Sequence, residues 1–180
     1  RPYPHMRGYR TIFFDAGYTL LYVYPSSGGV VAEVCRELGT ELDPVYTNEV
    51  LRRHYRLARE ETYRRGDFTT SPEKTRAFWY KVYRGALEEL GIRDGLPRYC
   101  EAILAELQRS QHYRLFPDVR PVLDRLRDRG YGLGIISNFD PSLVGLLRDL
   151  GIADYFDQLF VSSLVGVEKP GREIFEMAVE

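Results

Sequence analysis

The stretch Thr11–Leu21 reads TIFFDAGYTLL and decides which fold this chain adopts. An apolar run typical of a strand ends abruptly at Asp15, and small residues follow before Thr19. In an open parallel sheet, ligands bind in the crevice beyond the carboxyl ends of the strands. Asp15 is therefore a candidate nucleophile or metal ligand. The alternative is a carboxylate that caps the following turn, which is a common role of Asp.

Two later parts of the chain repeat the arrangement of an apolar run that ends in polar residues. Residues 130–138 read GYGLGIISN, and this run ends at Ser137 and Asn138. A third apolar run follows, and the loop after it contains Lys169. If these runs are parallel strands, their polar ends belong, like Asp15, to the crevice where ligands bind.

This order of a strand with Asp, a strand with Ser and a loop with Lys resembles the first three motifs of the haloacid dehalogenase-like (HAD) hydrolase superfamily. The stretches 137–140 and 169–175 strengthen the resemblance. It covers residues 10–21 and 115–180, while the middle of the chain matches only in being helical. The resemblance implies an α/β fold with a Rossmann-like parallel sheet core and an inserted helical-bundle cap.

The hydrophobic pattern of the remaining chain agrees with that fold. Residues 22–112 contain four segments with apolar residues at helical spacing and short links, which predicts a helical bundle. Farther on, helices alternate with strands, which predicts a parallel sheet with right-handed crossovers. The sequence thus predicts a core of residues 6–21 and 113–180, with its C-terminal part missing, and a helical cap of residues 22–112.

The resemblance implies a catalytic role for two residues. Asp15 would attack phosphorus and form an aspartyl-phosphate, which splits hydrolysis into two easier steps. Lys169 would supply a fixed positive charge that compensates the charge of the phosphoryl group. Taken alone, Lys169 is better explained as an ordinary solvated lysine of a loop.

Other motif residues would bind phosphate and metal, again as the resemblance implies. Ser137 and the backbone amide of Asn138 would hold phosphoryl oxygens, and Thr19 matches the threonine that braces the first turn. A Mg²⁺ ion would be held by the carboxylate of Asp15 and by the backbone carbonyl of Gly17. The alternative for the serine, asparagine and threonine is ordinary turn chemistry.

Two residues depart from the pattern of the family's phosphatases. Gly17 replaces a second Asp that protonates the leaving oxygen and later activates water, and Tyr18 occupies a position where glycine is usual. General acid–base catalysis typically contributes about 10²–10⁴-fold in rate. Phosphate esters with good leaving groups should therefore suffer least, while sugar or alkyl phosphates should be slow.

The family's fourth motif, a Gly-Asp pair whose carboxylates complete the magnesium site, would follow the helix that starts near Arg172. The sequence ends at Glu180, before that motif. The strand that bears it would flank the Asp15 strand, so an apolar sheet edge is expected, and such edges tend to pair. We expect either a longer natural chain or a partner, such as a second copy in a homodimer, that covers this edge.

Composition limits the classes of function. The formal net charge of −1 gives no global attraction to nucleic acid or to a membrane surface. No apolar stretch approaches the roughly 18 residues of a membrane helix, and no signal-peptide pattern is present. Cys35 and Cys100 lie in helical patterns without metal-ligand spacing, which indicates buried free thiols and a cytoplasmic protein.

Basic residues are concentrated in one predicted helix of the cap, interleaved with Tyr55 and Tyr63. They are Arg52, Arg53, His54, Arg56, Arg59, Arg64 and Arg65. Acidic residues lie on the same helix, so a solvated, salt-bridged face is the preferred interpretation. One alternative is a surface that binds the phosphate backbone of a nucleic acid. Another is that one or two of the arginines face the crevice and select anionic substrates.

Three functions remain open from the sequence. The first is a Mg²⁺-dependent phosphatase that acts on a small phosphorylated metabolite. The second is a haloacid dehalogenase, which uses the same Asp15 against carbon, needs no metal and also lacks the second Asp. The third is a catalytically degenerate HAD fold that serves as a binding module, in which Asp15→Asn would change no turnover.

Overall fold

The computed structural model describes residues 10–63 and 68–179 of this 180-residue chain. The described elements form a parallel α/β core and an inserted group of helices, which confirms the predicted fold class. The predicted core begins at residue 6, and residues 6–9 lie outside the described part. None of the described helices is long and apolar enough to cross a lipid bilayer.

The elements of the described residues are labelled in chain order. The strands are β1 (Thr11–Phe14), β2 (Leu21–Val23), β3 (Tyr113–Leu115), β4 (Gly132–Ser137) and β5 (Gln158–Val161). The helices are α1 (Ser27–Glu37), α2 (Pro44–Tyr63), α3 (Pro72–Glu89), α4 (Leu96–Glu106), α5 (Val119–Asp128), α6 (Ser142–Asp149), α7 (Ser162–Val165) and α8 (Glu173–Val179). Helices α1 to α4, together with the segments that link them, are called the cap below.

Three parallel strands form the core sheet in the order β1-β4-β5. β1 pairs with β4 up to the residues Phe14 and Ile135, and β5 pairs with β4 up to Ser137 and Val161. The residues that follow β1 and β4 therefore emerge side by side at the carboxyl edge of the sheet, where ligands bind in this class of fold. β1 is an edge strand of the described sheet.

Both faces of β4 are buried, as expected for the central strand of a parallel sheet. Leu133 and Ile135 are fully buried in a cluster that includes residues of α5 and α6. Ile136 points to the opposite face and packs with α8. A Cβ atom on Gly134 would lie 2.3 Å from the ring of Phe13. The Phe13 ring of β1 can therefore lie against β4 only because residue 134 is a glycine.

The cap helices pack around an apolar cluster of their own. Val82 of α3 and Ile103 of α4 are almost fully buried there. Helix α3 begins after Ser71, which is its N-cap: the Ser71 hydroxyl accepts a hydrogen bond from the backbone N–H of Lys74 at 3.2 Å. Pro72 follows at the first helical position, where its missing N–H leaves no intrahelical bond unmade.

A short antiparallel ribbon that the sequence did not predict joins the cap to the core. β2 pairs with β3 through Leu21 with Leu115 and Val23 with Tyr113. Strands of three residues are too short for alternation of apolar and polar residues to be recognised. β2 lies across the predicted boundary at residues 21 and 22, and β3 begins the second part of the predicted core at residue 113. The chain therefore leaves the core and returns to it along two neighbouring strands.

Candidate active site

The carboxylate of Asp15 lies directly after β1 and is about half exposed, with 45% of its side chain accessible. Its Oδ1 atom accepts hydrogen bonds from the backbone N–H of Ala16 at 2.8 Å and from the hydroxyl of Ser137 at 3.0 Å. The ammonium Nζ of Lys169 lies 3.0 Å from the same oxygen. No donor of the described residues reaches Oδ2, so one oxygen of the carboxylate is fixed while the other has no described partner.

Asn138 holds Lys169 in place by clamping its backbone from both sides. The side-chain Oδ1 of Asn138 accepts from the N–H of Lys169 at 2.8 Å, and Nδ2 donates to the Lys169 carbonyl at 2.8 Å. The sequence predicted a phosphate-binding role for the backbone amide of Asn138, which stays a prediction. It did not predict the role of the side chain, because the bond joins residues 31 positions apart.

Backbone hydrogen bonds hold the turn after Asp15. The carbonyl of Ala16 accepts from the N–H of Leu20 at 2.8 Å, and the N–H of Tyr18 donates to the carbonyl of Leu21 at 2.8 Å. Tyr18 is 74% exposed and has φ +56°, in the left-handed region. This conformation gives a physical reason for the glycine that the family usually has at this position.

Thr19 is exposed and lies outside the lining of the cavity described below. Its backbone N–H donates to the carbonyl of Ala16 at 3.3 Å, but its hydroxyl forms no hydrogen bond with the described residues. The placement gives no support to the predicted contact with phosphate. That role stays a prediction.

Two groups of the site offer oxygen ligands that suit Mg²⁺. They are the carboxylate of Asp15 and the carbonyl oxygen of Gly17, which accepts no hydrogen bond from a described residue. Mg²⁺ prefers oxygen ligands, keeps several waters and commonly binds through one or two carboxylates plus substrate phosphate. The described residues contain no group of three or more acidic, His or Cys side chains that could hold a metal alone. Asp15 and Gly17 thus fit a Mg²⁺ ion that shares its coordination with phosphate and water.

A cavity of about 1120 Å³ lies between the cap and the carboxyl edge of the core sheet. On the core side it is lined by Asp15, Ser137 and Lys169. The cap side is an aromatic wall in which the Trp79 ring stacks between two tyrosines. The ring centroids lie 5.5 Å from Tyr55 and 5.7 Å from Tyr83. Such a cavity, apolar on one side with a few converging polar groups, is typical of small-molecule sites.

Two arginines of α2 also line this cavity, Arg52 and Arg59. They lie two helical turns apart on one face, with Tyr55 between them. Neither forms an ion pair with a described residue, whereas the adjacent Arg53 is paired with Glu89. The alternative that one or two arginines of this helix face the crevice thus fits Arg52 and Arg59, while Arg53 and His54 form ion pairs as in the preferred interpretation. Arg64 and Arg65 of the same predicted cluster lie outside the described residues.

Two buried tyrosines line the cavity as neutral groups. Burial raises the pKa of Tyr83 and of Tyr113 well above the usual range, and the nearby negative charge of Asp140 raises both further. The hydroxyl of Tyr113 donates to the carbonyl of Leu107 at 2.8 Å. Both phenols therefore keep their protons at neutral pH, so they cannot act as the base that activates water in place of the Asp that Gly17 replaces.

The chain belongs to the haloacid dehalogenase-like hydrolase family, whose model matches residues 9–180. This confirms the resemblance drawn from the motifs and identifies the chain as a hydrolase. Within the family, it is similar to human haloacid dehalogenase-like hydrolase domain-containing protein 3. The two are 26% identical over 178 residues, which cover 97% of this chain and 70% of the human protein.

Relatives with a named activity include a phosphatase. Ribulose-1,5-bisphosphate 5-phosphatase of Halopiger xanaduensis is 28% identical over 172 residues, 92% of this chain and 68% of that protein. Among solved structures, the putative HAD-hydrolase YfnB from Bacillus subtilis, bound to magnesium, superposes with a TM-score of 0.70. The match covers 94% of this chain and 72% of that one at 18% identity, so it supports the fold alone.

Proposed function

We propose that this chain is a Mg²⁺-dependent phosphatase that hydrolyses small phosphorylated metabolites through an aspartyl-phosphate. One observation carries the proposal. Oδ1 of Asp15 is fixed by Ala16, Ser137 and Lys169, while Oδ2 is free of described donors beside a large cavity. A carboxylate held in this way keeps one oxygen free of donors for attack on phosphorus and has a positive charge beside it.

In the first step, Oδ2 of Asp15 attacks phosphorus, the bond from phosphorus to the leaving oxygen breaks, and that oxygen leaves as an alcohol after taking a proton from water. In the second step, water attacks phosphorus, which releases inorganic phosphate and restores the carboxylate of Asp15. Lys169 and Ser137 stabilise the negative charge of the phosphoryl group. A bound Mg²⁺ would neutralise phosphate charge and orient the phosphoryl group.

The substrate proposed for this site carries a second anionic group. Arg52 and Arg59 offer two guanidinium groups at the cavity without ion-pair partners among the described residues, and arginine binds carboxylate and phosphate in bidentate geometry. The relative that acts on ribulose-1,5-bisphosphate supports this proposal, because a bisphosphate bears two such groups.

A small metabolite rather than nucleic acid or a membrane is the proposed partner, and the cytoplasm is the proposed location. The near-neutral charge of the chain supports the first statement. Two buried free thiols, Cys35 and Cys100, support the second, because burial raises the pKa of each to about 11 and leaves them as unreactive thiols.

The test measures release of inorganic phosphate from p-nitrophenyl phosphate and from a panel of phosphorylated carboxylic acids, with Mg²⁺ and with EDTA. We expect turnover that requires Mg²⁺ and that falls at least about 10⁴-fold in Asp15→Asn. Chloride release from 2-chloropropionate that persists in EDTA would instead identify a dehalogenase. A binding module would instead bind phosphorylated acids without turnover, with the same affinity in the unaltered chain and in Asp15→Asn.

A further inference from the structure

Glu168, the residue before Lys169, is a buried carboxylate to which the proposed mechanism gives no role. Its side chain is 8% exposed, and it forms no ion pair with a described residue. Its Oε2 instead accepts hydrogen bonds from the N–H of Thr69 at 2.7 Å and from the Thr69 hydroxyl at 2.6 Å. The N–H of Phe68 lies 3.2 Å from Oε1. All these donors belong to the cap, in the residues that precede α3.

These hydrogen bonds explain how the carboxylate can be buried. An ionised carboxylate in a dry environment is strongly unfavourable unless donors satisfy it. Backbone N–H groups and a hydroxyl that point at one carboxylate stabilise its charged form. Because the donors come from residues 99 and 100 positions away, the contact exists only while the cap rests on the core.

The same threonine reaches a second loop of the active site. The hydroxyl of Ser162 donates to Oγ1 of Thr69 at 2.8 Å, and the N–H of Phe139 donates to the Ser162 hydroxyl at 3.2 Å. Thr69 and Ser162 are almost fully buried. Phe139 follows Asn138, whose side chain clamps the backbone of Lys169. One cap residue is thus connected to both segments that hold the lysine.

We infer that Glu168 is a positioning residue that couples docking of the cap to the placement of Lys169. With Phe68 and Thr69 bound, the backbone before Lys169 is fixed, and its Nζ lies 3.0 Å from Asp15. When the cap separates from the core, Glu168 exchanges these donors for water. The loop of the lysine then keeps only its contacts within the core, among them the clamp from Asn138, so the charges of the site are fully arranged only under a docked cap.

The first test needs no turnover, so it stands even if the proposed function fails. The variants are Glu168→Gln and Thr69→Val, with Thr69→Ser as the conservative variant that keeps the hydroxyl. Glu173→Gln is the matched control, an exposed carboxylate five residues farther along the chain, at the start of α8. Hydrogen exchange at the amides of residues 68 and 69 reports cap docking. The rate at which an amine-reactive acetylating reagent modifies Lys169, read by mass spectrometry, reports its placement.

We expect Glu168→Gln and Thr69→Val to raise both rates about tenfold, the effect of losing one charge-assisted hydrogen bond. Thr69→Ser and Glu173→Gln should leave both rates near those of the unaltered chain. Faster exchange at residues 68 and 69 with unchanged labelling of Lys169 would overturn the coupling. So would unchanged exchange in both variants. If Glu168→Gln fails to fold, the comparison of Thr69→Val with Thr69→Ser tests the same coupling.

The second test is kinetic and rests on the proposed function. With p-nitrophenyl phosphate, kcat should fall about tenfold in Glu168→Gln and in Thr69→Val, while KM changes little, because Lys169 acts on the transition state. The double variant should lose no more than the worse single one, since both changes break one contact. Losses that multiply in the double variant, or a change confined to KM, would contradict the inference.

Discussion

The core and the cap contribute to the cavity in different ways. In the core, Lys169 of a loop, Ser137 at the end of β4 and the N–H of Ala16 meet at one oxygen of Asp15, all within about 3 Å. In the cap, helix faces contribute aromatic rings and the two arginines of α2 over a wide wall. The difference suggests that reaction chemistry resides in the core and choice of substrate in the cap. Substitutions in the two regions should therefore have different kinetic signatures.

The largest expected effect of the four predictions below comes from Lys169→Met in the core. Removing a preorganised positive charge at the reacting group should lower kcat about 10³-fold, and by the same factor for every phosphate ester. Phosphate release measured with several esters checks this. Lys81→Met is the control, because Lys81 pairs with Glu61 on the cap. A loss confined to one ester would mean that the lysine recognises substrate, and the division between core and cap would fail.

The second prediction restores the missing general acid. A Cβ atom on Gly17 would meet only the Phe139 ring at 3.8 Å, and Gly17 does not have a positive φ, so Gly17→Asp should fold without strain. Turnover of glycerol 3-phosphate should rise about 10²-fold, while that of p-nitrophenyl phosphate, with its good leaving group, should change little. Gly17→Asn is the control of equal size that carries no carboxyl proton. An equal gain in both variants would refute the acid–base explanation.

The third prediction tests selectivity of the cap. Arg52→Gln and Arg59→Gln should each lower kcat/KM for 3-phosphoglycerate about tenfold, because a charge-assisted hydrogen bond to its carboxylate is lost. Values for glycerol 3-phosphate, which lacks the carboxylate, should stay unchanged. Arg56→Gln is the matched control, since Arg56 is exposed on the same helix and outside the cavity lining. Equal losses with both esters would mean that these arginines stabilise the fold and do not select the substrate.

The smallest expected effect concerns stability of the core turn. Tyr18 has φ +56°, a left-handed conformation that costs an L-residue with a Cβ atom about 1 kcal/mol. Tyr18→Gly should therefore raise the free energy of unfolding by about 1 kcal/mol, measured by urea denaturation. Tyr18→Ala removes the ring but keeps the Cβ atom, so it should give no such gain. A gain in both variants would attribute the effect to the exposed ring instead.

Prediction from sequence succeeded where the signal was local. Apolar runs that end in polar residues located β1, β4 and the loop of Lys169, and alternation of helices and strands indicated the parallel sheet. The N-cap Ser71 of α3 is a signal of the same local kind, because capping depends on neighbouring residues. Prediction failed for the ribbon of β2 and β3, because each strand has three residues and its partner lies far along the chain.

The sequence by itself determined the order of motifs and hence the class of fold, since residues 11–15 and 132–137 carry their own strand pattern and polar ends. Only the tertiary structure decided that Arg52 and Arg59 face the cavity while Arg53 turns to Glu89. It also decided that Glu168 is held by the cap. The physical reason is separation along the chain. A strand follows from adjacent residues, whereas the partner of a polar side chain depends on how distant elements pack.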